Sequence, residues 1–291
     1  APAWARRRVP VRPTDTHKNR VGRVLIAGGG VGMAGAVILA ARAAFHAGAG
    51  LVQVCSVPAN RDAVQSGIPE AIFIASDDAD ALEEAARQAD ALVVGPGLGT
   101  DDESAAVLRS VAGLGAQPLL LDADALNLAA EGAISLSDLG ARRPVLVTPH
   151  PGEMARLAPE LTEAGSRLDT ARILAEEHLI TVLLKGAPSV VASPAGPTLI
   201  DSQSSSDLAV AGMGDTLSGV CGALLAQGLE PRVAGAVGLY LSGRAARVVA
   251  RGPGLTPSDV SEHVPTVLTE TTEAMTDLPF PFVLFDAESA R

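Results

Sequence analysis

The chain has 291 residues, of which 47% are hydrophobic and only 2% aromatic, so alanine and branched aliphatic side chains must build most of its core. A length of this size suits one large α/β domain or two small ones. The net charge of −11 argues against nucleic acid or an anionic membrane as the main partner. Two cysteines without metal-ligand spacing argue against a disulfide framework and fit a reducing, cytoplasmic location.

The N-terminus is basic, with seven Arg or Lys against one Asp in residues 1–23. Residues 1–16 are interpreted as a solvated basic arm or linker. The predicted apolar helix at 34–47 is too short to span a bilayer. No change in composition divides the central part of the chain. We therefore predict one domain over residues 17–276 and a C-terminal tail over 277–291.

Short, continuous apolar runs predict strands that are buried on both faces. They lie at 23–27, 51–55, 91–94, 118–121, 145–148 and 181–184. Helical patterns alternate with them at 34–47, 79–89, 102–112, 151–158 and 163–178, and again at 215–227, 231–250 and near 258–276. Runs at 190–192 and 198–200 predict an antiparallel hairpin at one edge. The predicted fold is a three-layer α/β/α domain with a mostly parallel sheet and helices on both faces.

The carboxyl ends of the predicted strands carry the unusual residues. The turns there read AGGGVG, GPGLG, DADALN, TPHPGE and KGAPS. Because ligands bind beyond the carboxyl ends of strands in open parallel sheets, these turns predict one long site.

The segment from Gly30 to Gly35 fits the G-x-G-x-x-G pattern of dinucleotide-binding proteins. The next predicted strand, however, ends without the acidic residue that would hold the ribose. The glycines can equally permit close packing of the helix on the sheet, or approach of the backbone to another ligand.

The stretch AGMGDTLSG places Asp215 directly after Gly-Met-Gly at the start of a helix. The free N–H groups and the dipole of a helix N-terminus attract anions, and glycine lets a phosphoryl group approach closely. We expect the dipole to keep Asp215 ionised, so that it can accept a proton from an attacking hydroxyl. An ordinary helix cap is the alternative interpretation. Gly219 and Gly222 predict close packing of this helix.

Only Lys18 and Lys185 are lysines among 22 basic residues, which favours a specific role for each, such as holding a phosphate.

Several stretches, in order, resemble the ADP/ATP-dependent NAD(P)H-hydrate dehydratases of the ribokinase-like superfamily. They are HKNRVGRVLIAGG (17–29), AGAVILAARAAFHAGAGLV (34–52), VVGPGLG (93–99), LLLDADALN (119–127), VLVTPHPGEMARL (145–157), VLLKGAPSVVA (182–192) and LAVAGMGDTLSGVCGALLAQG (208–228).

The resemblance implies repair of the 6S hydrate of NADH or NADPH (NADHX or NADPHX). ADP or ATP, with Mg²⁺, would phosphorylate the C6 hydroxyl, and phosphate would then leave. The resemblance makes Asp215 the catalytic base, and the backbone of Ala211, Gly212, Met213 and Gly214 the anion hole. Lys185, Gly186, Ala187, Pro188 and Ser189, with Gly214, would bind the nucleotide.

The hydrate site implied by the resemblance contains Ala36, Gly97, Gly99, Asp124, His150, Glu153 and Asp215. His150 could instead cap a strand, and Glu153 could simply complement a helix dipole. No side chain is assigned as a metal ligand. A homotetramer, a cytoplasmic location and cooperation with an NAD(P)H-hydrate epimerase are also implied.

The chain departs from the family pattern at three places. Ser204–Ser206 stand where an asparagine is usual, Ala211 replaces a glycine, and His17-Lys18-Asn19 replaces His-Lys-Gly. Three alternatives remain open: a small-molecule kinase of the same superfamily, a non-catalytic nucleotide-binding protein, and a dehydrogenase using the Gly30–Gly35 loop.

Overall fold

The structure, a computed structural model, describes residues 4–5, 7–10, 21–201 and 205–270, and the backbone of residues 282–285. Within these residues one ten-stranded sheet has the order β10-β9-β8-β7-β6-β5-β4-β1-β2-β3. The strands are β1 (Arg23–Ala27), β2 (Leu51–Ser56), β3 (Ile72–Ala75), β4 (Ala91–Val94), β5 (Leu119–Leu121), β6 (Val145–Val147), β7 (Thr181–Leu184), β8 (Val190–Ala192), β9 (Thr198–Asp201) and β10 (Phe282–Phe285).

Strands β1 to β7 pair in parallel, and β8, β9 and β10 continue the sheet in antiparallel pairs. The predicted edge hairpin is therefore confirmed as β8 and β9. The segment predicted as an irregular tail contributes β10, which pairs with β9.

The helices are α1 (Ala34–His46), α2 (Arg61–Gly67), α3 (Ala79–Gln88), α4 (Asp102–Gly113), α5 (Asp124–Ala130), α6 (Leu136–Gly140), α7 (Pro151–Leu157), α8 (Pro159–Ala164), α9 (Arg167–His178), α10 (Met213–Ala226), α11 (Pro231–Val249) and α12 (Pro257–Thr269). Short 3₁₀ turns lie at Pro58–Asn60, Ser206–Leu208 and Gly252–Gly254. None of the helices in the described part of the chain is both long and apolar enough to cross a bilayer.

Two hydrophobic cores lie on opposite faces of the sheet, because successive strand side chains point to opposite sides. In β1, Val24 and Ile26 join the core that contains α1, α10, α11 and α12. Leu25 and Ala27 join the other core, with α3 to α7 and α9. This confirms the predicted three-layer α/β/α fold.

Some predicted elements differ from the structure. The helix predicted over 163–178 is two helices, α8 and α9, because Ser166 caps a new helix by accepting a hydrogen bond from Asp169 N–H. The sequence patterns missed β3 and the short helices α2, α5 and α6.

The interpretation of the N-terminal arm as fully solvated is wrong at Trp4 and Ala5. Ala5 is completely buried in the first core, and Trp4 packs against that core. The Arg8 guanidinium lies 4.2 Å from the Trp4 ring centre. An aromatic and a small apolar residue thus anchor this part of the basic segment.

Helix α10 crosses α1 at very short range, as its glycines predict. A Cβ on Gly219 would lie 2.0 Å from the Ala40 carbonyl oxygen, and one on Gly222 would lie 2.5 Å from Val93 Cγ2 on β4. This contact fixes the start of α10 beside the carboxyl ends of the central strands.

Candidate active site

A cavity of about 550 Å³ opens at the carboxyl ends of β5, β6 and β7, where the start of α10 meets them. Residues from five segments line it, and they include Asp122, Ala123, His150, Pro151, Glu153, Lys185, Gly186, Ala187, Ser189, Asp201, Ser205, Ser206, Leu208–Asp215, Leu217, Leu239, Ser242 and Gly243. Asp215 and the Lys185 turn therefore share one cleft, which is the arrangement that the catalytic interpretation of Asp215 requires.

Asp215 is the third residue of α10 and half-buried at the wall of the cavity. Burial, together with the carboxylates of Asp122 and Asp124, raises its pKa to about 7, although the Lys185 ammonium acts in the opposite direction. The expectation that the helix dipole keeps Asp215 fully ionised is therefore wrong. A pKa near 7 suits a general base, which must both accept and release a proton.

Lys185 forms an ion pair beneath the cavity. Its Nζ lies 2.6 Å from Asp122 Oδ1 and 3.8 Å from Glu153 Oε2. Burial alone would lower its pKa, but the carboxylates of Asp122, Glu153 and Asp215 outweigh this effect and raise it. Lys185 is therefore positively charged in the cleft and is held by buried carboxylates. Lys18, the other lysine, lies outside the described residues.

Asp122 is the buried centre of this network, at 1% exposure. Besides Lys185, it accepts a hydrogen bond of 2.6 Å from Ser218 Oγ, one turn beyond Asp215 on α10. The network therefore ties β5, β7 and α10 together. Only the tertiary arrangement shows that Asp122 lines the cavity.

Two glycines, Gly212 and Gly214, form the turn into α10 and its first residues. Gly212 has φ +86° as the N-cap residue, a conformation that favours glycine. A Cβ on Gly214 would lie 3.3 Å from Lys185 Nζ and 3.7 Å from Asp122 Oδ2. Met213 N–H already donates to the Val210 carbonyl at 3.2 Å. The helix starts at Met213 rather than at Asp215, so Gly214 lies inside its first turn.

His150 and Glu153 cap α7 reciprocally. His150 Nδ1 accepts from Gly152 N–H at 2.9 Å, and Glu153 Oε2 accepts from His150 N–H at 2.7 Å. His150 Nε2 lies 3.3 Å from Glu153 Oε1. Both residues line the cavity while they cap the helix. His150 therefore caps a helix and not a strand, and contact of either residue with the hydrate stays a prediction. Since Nδ1 accepts, the imidazole is held as its Nε2–H tautomer.

The remaining predicted substrate residues form a second group next to Asp215. Asp124 Oδ2 accepts from Gly99 N–H at 2.9 Å. A Cβ on Gly97 would lie 2.9 Å from the Ala36 Cβ. Asp124 is close enough to raise the pKa of Asp215, which links this group electrostatically to that carboxylate. Its members do not line the main cavity.

The amides that lead into the Gly30–Gly35 loop are engaged within the protein. The N–H groups of Gly28, Gly29 and Gly30 donate to the carbonyls of Cys55, Pro96 and Gly97, and Met33 N–H donates to the Gly30 carbonyl. Cβ atoms on Gly32 and Gly35 would meet nothing within 4 Å. Close helix packing therefore explains neither of those two glycines, and the engaged amides argue against a dinucleotide pyrophosphate at this turn.

Arg167 is a residue that sequence reasoning missed. Its Nη2 donates to the Lys185 carbonyl at 2.9 Å and to the Pro188 carbonyl at 3.2 Å. It thereby holds the turn of residues 185–189 from the start of α9. Pro188 itself is exposed and does not line the cavity.

Residues 24–266 match the family model described as NAD(P)H-hydrate dehydratase. The chain belongs to the NAD(P)H-hydrate dehydratase family. The match covers the strands, turns and helices that build the cavity, and the ribokinase-like resemblance is confirmed.

Individual relatives agree with this assignment. The chain is 37% identical to an ADP-dependent (S)-NAD(P)H-hydrate dehydratase from Neisseria meningitidis, over 84% of this chain and 82% of that protein. It is 38% identical to a bifunctional NAD(P)H-hydrate repair enzyme from Moorella thermoacetica, over 91% of this chain and 53% of that protein. The chain spans about half the length of the bifunctional relatives it matches.

A solved structure shares the fold. The ADP/ATP-dependent NAD(P)H-hydrate dehydratase from Bacillus subtilis, co-crystallised with ATP and Mg²⁺, superposes with a TM-score of 0.79. Sequence identity to it is 27%, and the match covers 92% of this chain and 96% of that one.

The departures from the family pattern fall partly at the cavity. Ser205, Ser206 and Ala211 line it, and Ser205 Oγ accepts from Asp207 N–H at 3.2 Å. Residues 17–19 and Ser204 lie outside the described residues.

Proposed function

We propose that this chain uses ADP or ATP to dehydrate the 6S hydrate of NADH or NADPH, and so restores the reduced cofactor. The observation that carries the proposal is the shared cleft: a carboxylate with a pKa of about 7, Asp215, lies on the same cavity as the Lys185 cation and a helix N-terminus. Membership of the dehydratase family supports the same activity.

The proposed first step is phosphoryl transfer to the C6 hydroxyl of the hydrate. Asp215 accepts the hydroxyl proton, and the oxygen bonds to the terminal phosphorus of the nucleotide. The bond from that phosphorus to the bridging oxygen breaks, so that AMP leaves from ADP, or ADP from ATP. The backbone at Gly212 and Gly214 and the Lys185 ammonium stabilise the charge on the transferring group. Phosphate then leaves from C6 with its bonding electron pair, and the ring nitrogen lone pair forms a C6–N iminium. Loss of a proton from C5 then forms the C5–C6 double bond of the dihydronicotinamide and returns the electron pair to the nitrogen. Hydroxide is a poor leaving group and phosphate a good one, so the nucleotide makes elimination possible.

The two regions beside Asp215 divide the ligands. We assign the nucleotide to the main cavity, with residues 185–189 and Gly214 around it. We assign the hydrate to the group formed by Ala36, Gly97, Gly99 and Asp124, with His150 and Glu153 at the boundary. Asp215 lies between the two ligands in this arrangement, where a base for the transfer step must lie.

Magnesium fits the charge of the cleft. The carboxylates of Asp122, Glu153 and Asp215 outnumber the cations at this turn, Lys185 and Arg167, so added phosphates would meet net negative charge. Among the described residues no set of three or more His, Cys, Asp or Glu side chains could hold a metal ion alone. Magnesium binds through few carboxylates and substrate phosphates, so we propose that Glu153 and Asp215 face an ion carried by the nucleotide, while Asp122 stays bonded to Lys185 and Ser218. The ion would neutralise the phosphate charge.

An assay with the hydrate tests the proposal. The protein is incubated with NADH hydrate, Mg²⁺ and ADP or ATP, and the dihydronicotinamide absorbance and released phosphate are followed. Equal recovery of both supports the dehydratase. Phosphorylation without recovery of the cofactor would point to a kinase of the same superfamily, and binding without either product would point to a non-catalytic protein.

Asp215→Asn separates the base from a mere helix cap. We expect it to lower kcat by about 10²–10⁴-fold while nucleotide affinity stays, because asparagine can still cap the helix but cannot accept the proton. Asp138→Asn, which changes an exposed carboxylate on α6, is the control. A near-normal rate for Asp215→Asn would reduce Asp215 to a cap.

We also propose an oligomeric state and a functional partner for this chain. We propose a homotetramer, to be tested by light scattering after gel filtration. The bifunctional relatives are about twice as long as the matched region, which supports cooperation with a second repair activity, such as an NAD(P)H-hydrate epimerase.

A further inference from the structure

The cavity contains a buried hydroxyl with no protein partner. Ser242 on α11 is 7% exposed, and within the described residues its Oγ forms no hydrogen bond. The same residue lines the cavity. Leaving a buried hydroxyl unsatisfied costs about 1–3 kcal/mol, so such groups in native proteins usually have an unseen partner.

Several aliphatic residues line the cavity on the same side as Ser242. Leu239, Ser242 and Gly243 lie three and four residues apart, so they share one face of α11. Leu208, Ala209 and Val210 line the cavity from the neighbouring segment, and the 3₁₀ turn that includes Leu208 packs against α11. The charged groups Asp122, Glu153, Lys185 and Asp215 come from the strand ends, the start of α7 and the start of α10, and Asp201 adds a carboxylate from β9. The side of the cavity with Ser242 thus combines aliphatic side chains with serine hydroxyls, because Ser206 lies in the same 3₁₀ turn as Leu208.

This division matches the two chemical parts of a nucleotide. The phosphates belong with Lys185 and the helix N-terminus. A flat heterocyclic base belongs with the aliphatic side chains, and its ring nitrogens or exocyclic groups need a hydrogen-bonding partner there. A serine hydroxyl can donate to a ring nitrogen or accept from an amino group.

We propose that Ser242 is a specificity-determining contact to the base of the nucleotide, with its Oγ hydrogen-bonded to the purine edge. The inference rests on the proposed function, which places a nucleotide in this cavity. Ser242 has no role in the chemistry at Asp215, so its contribution is to nucleotide affinity and choice of base.

Removal of the Ser242 hydroxyl should affect thermal stability and nucleotide affinity differently. Ser242→Ala removes a group that is unsatisfied in the free protein, so we expect the melting temperature without ligand to stay the same or rise. ADP, in contrast, loses a hydrogen bond, so its Kd should rise by about threefold to tenfold. Inorganic pyrophosphate has no base, and its Kd should not change.

Calorimetric titration of wild type and Ser242→Ala with Mg²⁺ and ADP, and separately with Mg²⁺ and pyrophosphate, tests this. Thr216→Val is the matched control. Among the described residues Thr216 Oγ1 is also buried without a hydrogen-bond partner, but Thr216 does not line the cavity. The affinity of Thr216→Val for ADP should therefore be unchanged. A Ser242→Ala protein that binds ADP as tightly as wild type overturns the proposal. A parallel loss of melting temperature and of pyrophosphate affinity also overturns it, since that pattern marks a structural role.

Binding and turnover keep the two proposals apart. If wild type binds ADP but does not restore NADH from its hydrate, the proposed function fails, while the Ser242 contact is still measurable. If wild type binds neither ADP nor ATP with Mg²⁺, both proposals fail. If turnover occurs and only the Ser242→Ala affinity is unchanged, the inference alone fails.

Discussion

Burial and neighbouring charges shift the pKa values of Asp215 and Lys185 in the cleft. Burial is the main cause of the raised pKa of Asp215, and the carboxylates of Asp122 and Asp124 raise it further. Asp122 is the buried neighbour that also holds Lys185 and Ser218. Asp122 therefore affects the pKa of both Asp215, the proposed base, and Lys185, the proposed phosphate-binding cation, without having to touch the hydrate.

The pH dependence follows from this arrangement. Because Asp215 must be deprotonated to act as a base and its pKa is about 7, kcat/KM should rise with pH up to about 7 and level off above it. Asp122→Asn removes a negative charge that raises this pKa, so the limb should move to lower pH. Initial rates across pH for wild type, Asp122→Asn and the Asp138→Asn control measure the effect. A limb that stays in place in Asp122→Asn contradicts this assignment of charge.

Helix α10 holds Asp215, the proposed base, at the carboxyl ends of the strands. Its glycines allow its backbone to approach α1 and β4 more closely than any side chain would permit. Arg167 on α9 acts similarly on the 185–189 turn through two backbone carbonyls. Both devices place parts of the site from outside it.

A Cβ at the α10–α1 crossing should displace the catalytic helix. We expect Gly219→Ala to destabilise the protein by about 1–3 kcal/mol, because its Cβ would overlap the Ala40 carbonyl and the helices would have to separate. The same separation should lower kcat by moving Asp215. Gly113→Ala, at the exposed end of α4 with open space around the Cβ, is the control. Denaturant unfolding and kcat are measured together, and equal stability of the two variants contradicts close packing.

The cavity lies at the carboxyl ends of the central strands, and the two aliphatic cores cover the opposite faces of the sheet. The residues that line the cavity come from distant parts of the chain, from Asp122 to Gly243. A ligand that contacts all of them holds β5, β7, α10 and α11 together. Folding stability and nucleotide binding are therefore linked.

This linkage predicts ligand-dependent stability. With Mg²⁺ and ADP at 100 times the Kd, the free energy of unfolding should rise by about 2.7 kcal/mol, because the nucleotide binds only the folded chain. Thermal unfolding with Mg²⁺ alone and with Mg²⁺ plus ADP measures the change. An unchanged melting temperature at saturating ADP would mean that this cavity does not take the nucleotide.

Local patterns were enough to predict most of the fold. Continuous apolar runs mark buried parallel strands, and six of them correspond to β1, β2, β4, β5, β6 and β7. The Gly-Met-Gly-Asp signal likewise located the start of α10 and its carboxylate. Short elements such as β3 and α5 escaped because a few residues do not establish a period.

Tertiary structure alone decided the electrostatics and the supporting contacts. Nothing near Asp122 in the chain indicates that Lys185 and Ser218 will reach it, and Arg167 meets its turn only after α9 packs beside β7. The pKa of Asp215 and the unpartnered hydroxyl of Ser242 depend on burial and on neighbours from other elements. Sequence patterns record local periodicity and backbone freedom, whereas the strength of a charge or a hydrogen bond is set by everything that folding brings around it.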